Sequence, residues 1–168
     1  MPKWTNRDLD IQFSRAVNLG WLEVFKKASK DFDLPVEVLL AIASRETNLN
    51  PKYQQQTGDG GHGHSIMQID DRSYPDFCNS GDWKDINLAI QKGASVLEEK
   101  RKSIRAAKGI PVTDEVRLAI AAYNCGATRV INNFRSGRPI DSNTTDKDYS
   151  ADVLSRAKYF KGKLEEEN

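Results

Sequence analysis

The run "LPVEVLLAIASRETNL", residues 34–49, constrains the fold of this chain more than any other stretch. Between Val36 and Ala43 only Glu37 is polar, so a helix here has no broad solvent face and must be buried on most sides. Pro35 suits a first helical turn, where its missing N–H costs nothing. Such a core helix needs neighbours, and the rest of the chain supplies them. Val17, Trp21, Val24, Phe25 and Ala28 predict one amphipathic helix over residues 14–30. Asp85 is a predicted N-cap for a helix through Ile86, Ala89, Ile90, Leu97, Arg101 and Ile104 that ends before "KGIP". Thr113 is the predicted cap of "DEVRLAIAAYNCG", closed by Gly126, and a short helix follows over residues 127–134. After the turn-rich "RSGRPIDSNTTD", helical spacing returns at Tyr149, Val153, Ala157, Phe160 and Leu164. "HSIMQID" alternates enough for one short strand. The expected fold class is therefore α+β and predominantly α-helical, with a small β element. Its 168 residues are expected to form a single domain spanning 1–168.

Charge narrows the function. With 25 Lys+Arg against 24 Asp+Glu, the net charge of +1 lacks the basic excess of a protein that works by neutralising phosphates, so no nucleic-acid partner is expected. No segment approaches the roughly 20 apolar residues of a membrane span, and "MPKWTNRDLDIQF" has no apolar signal-peptide core. Cys78 and Cys125 could pair or both be reduced, and their spacing does not decide.

Three acids carry the chemical interest. In a helix over residues 35–47, Glu46 shares a side with Ala43, Ile42 and Leu39, at offsets of three, four and seven. Apolar surroundings disfavour a charged carboxylate, so the expected direction of its pKa is upward, which keeps a proton available for donation. Taken alone, a Glu at a helix end is more often structural. Asp59 in "TGDGG" and Asp70 at the end of "HSIMQID" read singly as a turn former and a cap, although glycines there let backbone approach a ligand closely. Together the three suggest glycoside cleavage. That reaction needs an acid on the leaving oxygen and, for inversion, a second carboxylate about 6.5–9.5 Å away to direct water.

The acids sit in motifs that resemble those of goose-type lysozymes, relatives of the bacterial soluble lytic transglycosylases. The family's "SRES"-like motif is matched by "SRET", which places its catalytic glutamate on Glu46, and "GDxGxGxGLMQVD" is matched by "GDGGHGHSIMQID", which places two aspartates on Asp59 and Asp70. "ISAYNAG" is matched by "IAAYNCG" (Tyr123, Asn124), and "DYSNDVVARAQYYK" by "DYSADVLSRAKYFK" (Tyr149). The matches run in order from about residue 40 to residue 161. The resemblance implies a lysozyme-like fold and hydrolysis of the β-1,4 bond between N-acetylmuramic acid and N-acetylglucosamine. Glu46 would be the general acid and Asp59 and Asp70 would hold the water, with Asp70 favoured. Tyr123, Asn124, Tyr149, His62 and Gln68 would bind substrate. It further implies no metal or cofactor, peptidoglycan strands as the partner with chitin oligosaccharides as a second candidate, a monomer, and a secreted setting. One departure stands out: "GFGLMQ" in the family becomes "GHSIMQ", with His64 and Ser65 at the loop glycine and its neighbour, which is expected to alter the strand's approach to sugar.

Other readings are weaker. His62 and His64 invite a metal, but no further histidine completes a zinc site, and exposed loop histidines are expected instead. Cys125 with a histidine base would suit a peptidase, yet its place beside "AAYN" fits glycosidase packing better. A lytic transglycosylase, or a glycan-binding module without turnover, would use the same fold; a module that only binds has no need of a buried proton donor.

Overall fold

The computed structural model describes residues 3–167. Eight α-helices and one two-stranded antiparallel sheet are found among them: α1 (Asn6–Asn18), α2 (Trp21–Phe32), α3 (Val36–Thr47), β1 (Gly63–His64), β2 (Ile69–Asp70), α4 (Pro75–Ser80), α5 (Ile86–Ala106), α6 (Glu115–Cys125), α7 (Ala127–Arg135) and α8 (Tyr149–Glu166). The expected α-dominated α+β class is what is observed. Packing separates two compact units, one made of the chain up to Ala94 and from Arg156 onward, the other Ser95–Ser155. The divisions fall within α5 and α8.

In the first unit α3 is the centre, with Val38 through Ser44 all buried. Pro35 stands just before the helix rather than inside its first turn. The predicted helix over 14–30 is instead two helices. Gly20 takes a left-handed φ of 73°, which no continuous helix allows, and it separates α1 from α2. The start of α1 is fixed by a capping box in which Asp8 N–H donates to Thr5 Oγ1 and Thr5 N–H donates to Asp8 Oδ2. α1 and α3 are joined where Arg15 donates to the carbonyls of Asn48 and Leu49 at 3.0 and 3.3 Å, satisfying groups just past the end of α3. Phe13 of α1 stacks on Phe160 of α8, with ring centroids 6.1 Å apart.

"HSIMQID" is not a single strand. The chain reverses within it, so that Ile69 pairs back with His64 and Asp70 with Gly63. Asp85 caps α5 as expected, its Oδ1 accepting from the N–H groups of Asn87 and Leu88 at 2.8 and 3.0 Å.

The second unit packs Ile104, Leu118, Ala121, Ala122 and Val130 into a core between the end of α5, α6 and α7. Thr113 lies within a 3₁₀ turn (Val112–Asp114) and does not cap α6; Asp114 takes the N-cap position without a side-chain bond. Asp141 caps α8, accepting from the N–H and Oγ of Ser150 at 2.8 and 2.7 Å and from Ala151 N–H at 3.2 Å. Buried Glu115 is held by Arg105, whose Nε donates to Oε2 at 3.1 Å and Nη2 to Oε1 at 2.6 Å.

The Arg105 hydrogen bonds outweigh burial and hold the Glu115 carboxyl below its ordinary range. Its stabilising contribution is present above the unfolded value of about 4.3 and is lost as pH falls through the lower folded value. Glu115→Gln should therefore cost about 1–3 kcal/mol at neutral pH. Urea unfolding at a series of pH values below about 4.3 should show the gap between the variant and the parent protein narrowing as pH falls.

Candidate active site

Helix α3 carries Glu46 in its last turn, half-buried, on the side where Leu39, Ile42 and Ala43 are fully buried. The next residue ties that helix end to the hairpin, since Thr47 Oγ1 donates to the carbonyl of Ile66 at 2.9 Å, as well as to Ala43 in its own helix. Two residues earlier, buried Ser44 donates to Gln12 at 2.6 Å and accepts from the buried Arg156 at 2.8 Å. Glu46 thus sits on a backbone fixed before and after it.

The other two acids come from the loop and hairpin that follow. Gly58 and Gly63 exchange backbone hydrogen bonds at 2.8 and 2.9 Å, closing the loop that holds Asp59, and Gly63 in turn pairs with Asp70. Gly58 and Asp70 are therefore two strand spacings apart, about 10 Å. Arg72 spans that gap. Its Nε donates to Asp70 Oδ1 at 2.7 Å and its Nη2 to Asp59 Oδ2 at 3.1 Å. Ser73 Oγ donates to Asp70 Oδ2 at 2.8 Å. Burial works to raise the Asp70 pKa, but the hydrogen bonds from Ser73 and Arg72 and the guanidinium charge outweigh it and hold Asp70 below the usual carboxylate value. Asp59 itself is exposed.

The remaining predicted contacts divide. His62 is exposed and donates from Nδ1 to Asp71 Oδ1 at 2.8 Å. His64, expected to be exposed, is buried: its ring meets Trp83 edge-on at 4.9 Å and donates to the carbonyl of His62. The indole offers that ring an apolar wall, and the local carbonyl satisfies its N–H. Gln68 works inside the loop, donating to the Ser65 carbonyl at 2.8 Å and resting its Oε1 where a Cβ on Gly58 or Gly63 would come within 2.2 Å.

In the second unit, Tyr123 is half-buried near the end of α6. Its neighbour Asn124 accepts from Thr145 N–H at 2.9 Å and donates to Thr145 Oγ1 at 3.2 Å, holding the turn before α8. Tyr149 is only 1% exposed and presents almost no surface to a ligand in this conformation. Among the described residues no cluster of His, Cys, Asp or Glu could hold a metal ion.

The sequence model of the family described as "Lysozyme g" matches residues 19–163. The chain belongs to the lysozyme g family. It is similar to the lysozyme G of Dromaius novaehollandiae and the lysozyme g of Struthio camelus, 33% identical to each over 141 residues that make up 82% of this chain. The chain spans 64% of the length of each. More distantly it is 26% identical over 130 residues to the membrane-bound lytic murein transglycosylase F 2 of Alkalilimnicola ehrlichii, covering 77% of this chain and 27% of that one.

Arg72 and Thr47 are the residues that bind the candidate acids' loop and helix end together, and the sequence motifs do not single them out. Arg72 follows Asp70 by two positions, in the turn that leaves β2, where the N–H groups of Ser73 and Tyr74 donate back to the Asp70 carbonyl at 3.2 and 2.9 Å. Its contact with Asp59, 13 residues away, has no local signal. Both cysteines are free thiols. Burial chiefly pushes Cys78 up to about 11, helped by the charges of Asp71 and Asp70. Burial likewise raises Cys125, against the opposing charge of Arg129, which works against a thiolate nucleophile.

Five non-glycine residues of this stretch, Asn48, Leu49, Asp59, Ser65 and Gln68, have left-handed φ between 49° and 63°. Ser65 combines two costs, because its fully buried Oγ also has no hydrogen-bond partner. Left-handed backbone costs about 1–2 kcal/mol and an unsatisfied buried hydroxyl about 1–3 kcal/mol, against about 0.5–1 kcal/mol for the extra freedom of an unfolded glycine. Ser65→Gly should therefore stabilise the protein by about 1–2 kcal/mol. A rise in the urea midpoint at unchanged m-value is the expected signature.

Proposed function

We propose that this protein hydrolyses the β-1,4 bond between N-acetylmuramic acid and N-acetylglucosamine in peptidoglycan, with inversion at the anomeric carbon. The observation that carries the reading is the set of acids held together in one unit: Glu46 on the fixed end of α3, and Asp59 and Asp70 gathered by Arg72 on the hairpin tied to that helix end. Glu46 donates its proton to the glycosidic oxygen as the bond to the anomeric carbon breaks. Its half-buried place at the fixed end of the helix leaves part of the side chain accessible to a sugar. Water adds from the opposite face, and its proton passes to the Asp59/Asp70 pair, leaving a muramic acid with a free reducing end. Asp70, held ionised, suits the role of base.

Tyr123 and His62, both with accessible surface, are the proposed sugar contacts. Gln68, Asn124 and Tyr149 support the reading differently, as the groups that shape the loop and the turn before α8. On this reading the protein acts outside the cell, as a monomer on wall strands; chitin oligosaccharides share the N-acetylglucosamine unit and are the second substrate to try. No helix among the described residues is long and apolar enough to cross a membrane.

The transglycosylase relative makes a second reaction worth separating, in which the 6-hydroxyl of the muramic acid itself replaces water. An internal hydroxyl needs no pair of carboxylates to hold it, so Asp59 and Asp70 favour hydrolysis. Digestion of purified peptidoglycan followed by mass spectrometry of the fragments distinguishes the two. The parent protein should give reducing muramic ends, and Glu46→Gln should lose at least about 10²-fold in rate, the lower range of a general acid's contribution. Anhydro ends would assign transglycosylation, and turnover surviving in folded Glu46→Gln would remove the glutamate from its role.

A further inference from the structure

We propose that Arg72 is a positioning residue for the two water-holding aspartates, setting their separation and the carboxylate oxygen they present. The inference rests on the hydrolytic reading above and deepens it, giving the side chain that gathers the two aspartates a part in turnover.

The geometry is specific to a guanidinium. Nε and Nη2 form one edge of the fork, and here each N–H on that edge serves a different carboxylate, Asp70 Oδ1 at 2.7 Å and Asp59 Oδ2 at 3.1 Å. The backbone leaves these acids on opposite sides of Gly63, and Asp59 lies on an exposed loop with nothing else of its carboxylate engaged among the described residues. Without Arg72 the Asp59 side chain has no partner to fix its direction. Asp70 is the anchored member, since Ser73 takes its second oxygen. Asp59 Oδ1 is consequently the oxygen of the pair that no protein donor meets, and it stands beside an anchored, ionised neighbour. Lysine offers one compact ammonium without the fixed two-pronged edge, so it cannot reproduce both bonds in one geometry.

Charge gives the bridge its second effect. Two neighbouring carboxylates resist joint ionisation, and a cation shared between them removes that resistance. The other groups around Asp70 do not replace it. Asp71 is engaged by His62, Cys78 of α4, which packs on β2, is held neutral by burial and by those same aspartates, and Lys92 of α5, whose charge acts on Cys78, lies over the rings of Tyr74 and Phe77 at 4.4 and 5.9 Å. Loss of Arg72 should therefore raise the pH below which the pair fails as a base.

The test measures kcat, KM and pH profiles on soluble peptidoglycan fragments for the parent protein, Glu46→Gln, Arg72→Gln and Arg72→Lys. Carboxyl-carbon NMR titration of Asp59 and Asp70 is recorded in the same proteins without substrate. Arg72→Gln should lose at least about tenfold in kcat with KM changed by less than about twofold, as expected when a catalytic group is misplaced rather than substrate binding lost. Its acid limb and the Asp70 titration should both move to higher pH, and Arg72→Lys should recover only part of each. If Arg72→Gln fails to fold, Arg72→Ala assayed with added guanidinium ion takes its place, and recovery of kcat by the ion supports the role. An unchanged kcat and acid limb in a folded variant, a defect confined to KM, or no rescue in folded Arg72→Ala would each overturn the proposal while the parent enzyme still turns over. No turnover by the parent protein would instead bring down the hydrolytic reading, and this inference with it.

Discussion

Everything in the first unit depends on burying α3 without leaving the hydroxyl that ends its buried run unsatisfied. Seven consecutive residues of that helix are buried, and the last of them is Ser44. A hydroxyl there has no access to water, and leaving it unpaired would cost about 1–3 kcal/mol. Gln12 from α1 and Arg156 from α8 meet it, so three helices distant in sequence converge on one oxygen. The arrangement also accommodates a guanidinium that is 4% exposed and lies 5.9 Å from the ring of Trp4. Polar satisfaction of this kind fixes helix register more sharply than apolar contact, because hydrogen bonds tolerate little displacement. The register it fixes is that of the turn carrying Glu46.

Rigidity passes from that turn to the hairpin through Thr47, and there the backbone takes up conformations that side chains disfavour. Left-handed residues gather in the loop, in the hairpin turn and just past α3, while the long helices are regular. Strain of this sort persists only where surrounding contacts overdetermine it. Here those contacts are the Gly58–Gly63 bridge, the Gln68 amide and the Arg72 fork. The acids are thus presented by a loop held from inside rather than by regular secondary structure.

Much of this was legible in the sequence. The apolar run gave away α3, the Asp85 cap marked α5, and the ordered motifs singled out Glu46, Asp59 and Asp70 as the candidate acids. Reading one helix across residues 14–30 failed because Val17, whose spacing runs on into α2, is exposed, while the buried face of α1 is Leu9, Phe13 and Ala16; the glycine's positive φ carried the information, as did "TNRD", a capping box that announces an earlier start. "HSIMQID" misled for a related reason, since alternation describes a strand equally well whether or not it doubles back. His64 looked like a loop residue because nothing local reveals Trp83, 19 positions on. Arg72 was hidden by distance too: local patterns encode neighbours, whereas a side chain that joins two loops is visible only once the loops are placed.

The Gln68 amide has a consequence for how this loop can change over generations. A side chain at Gly58 and one at Gly63 would strike the same Oε1, each at 2.2 Å. The first substitution must displace the amide and give up its bond to Ser65, but once it has moved, the second meets an obstacle already gone. The two glycines are therefore not independent sites. Their effects should be strongly non-additive, the double change costing little more than either alone. A shortened residue at position 68 would open both positions at once, making the glutamine the gatekeeper through which new loop sequences become accessible.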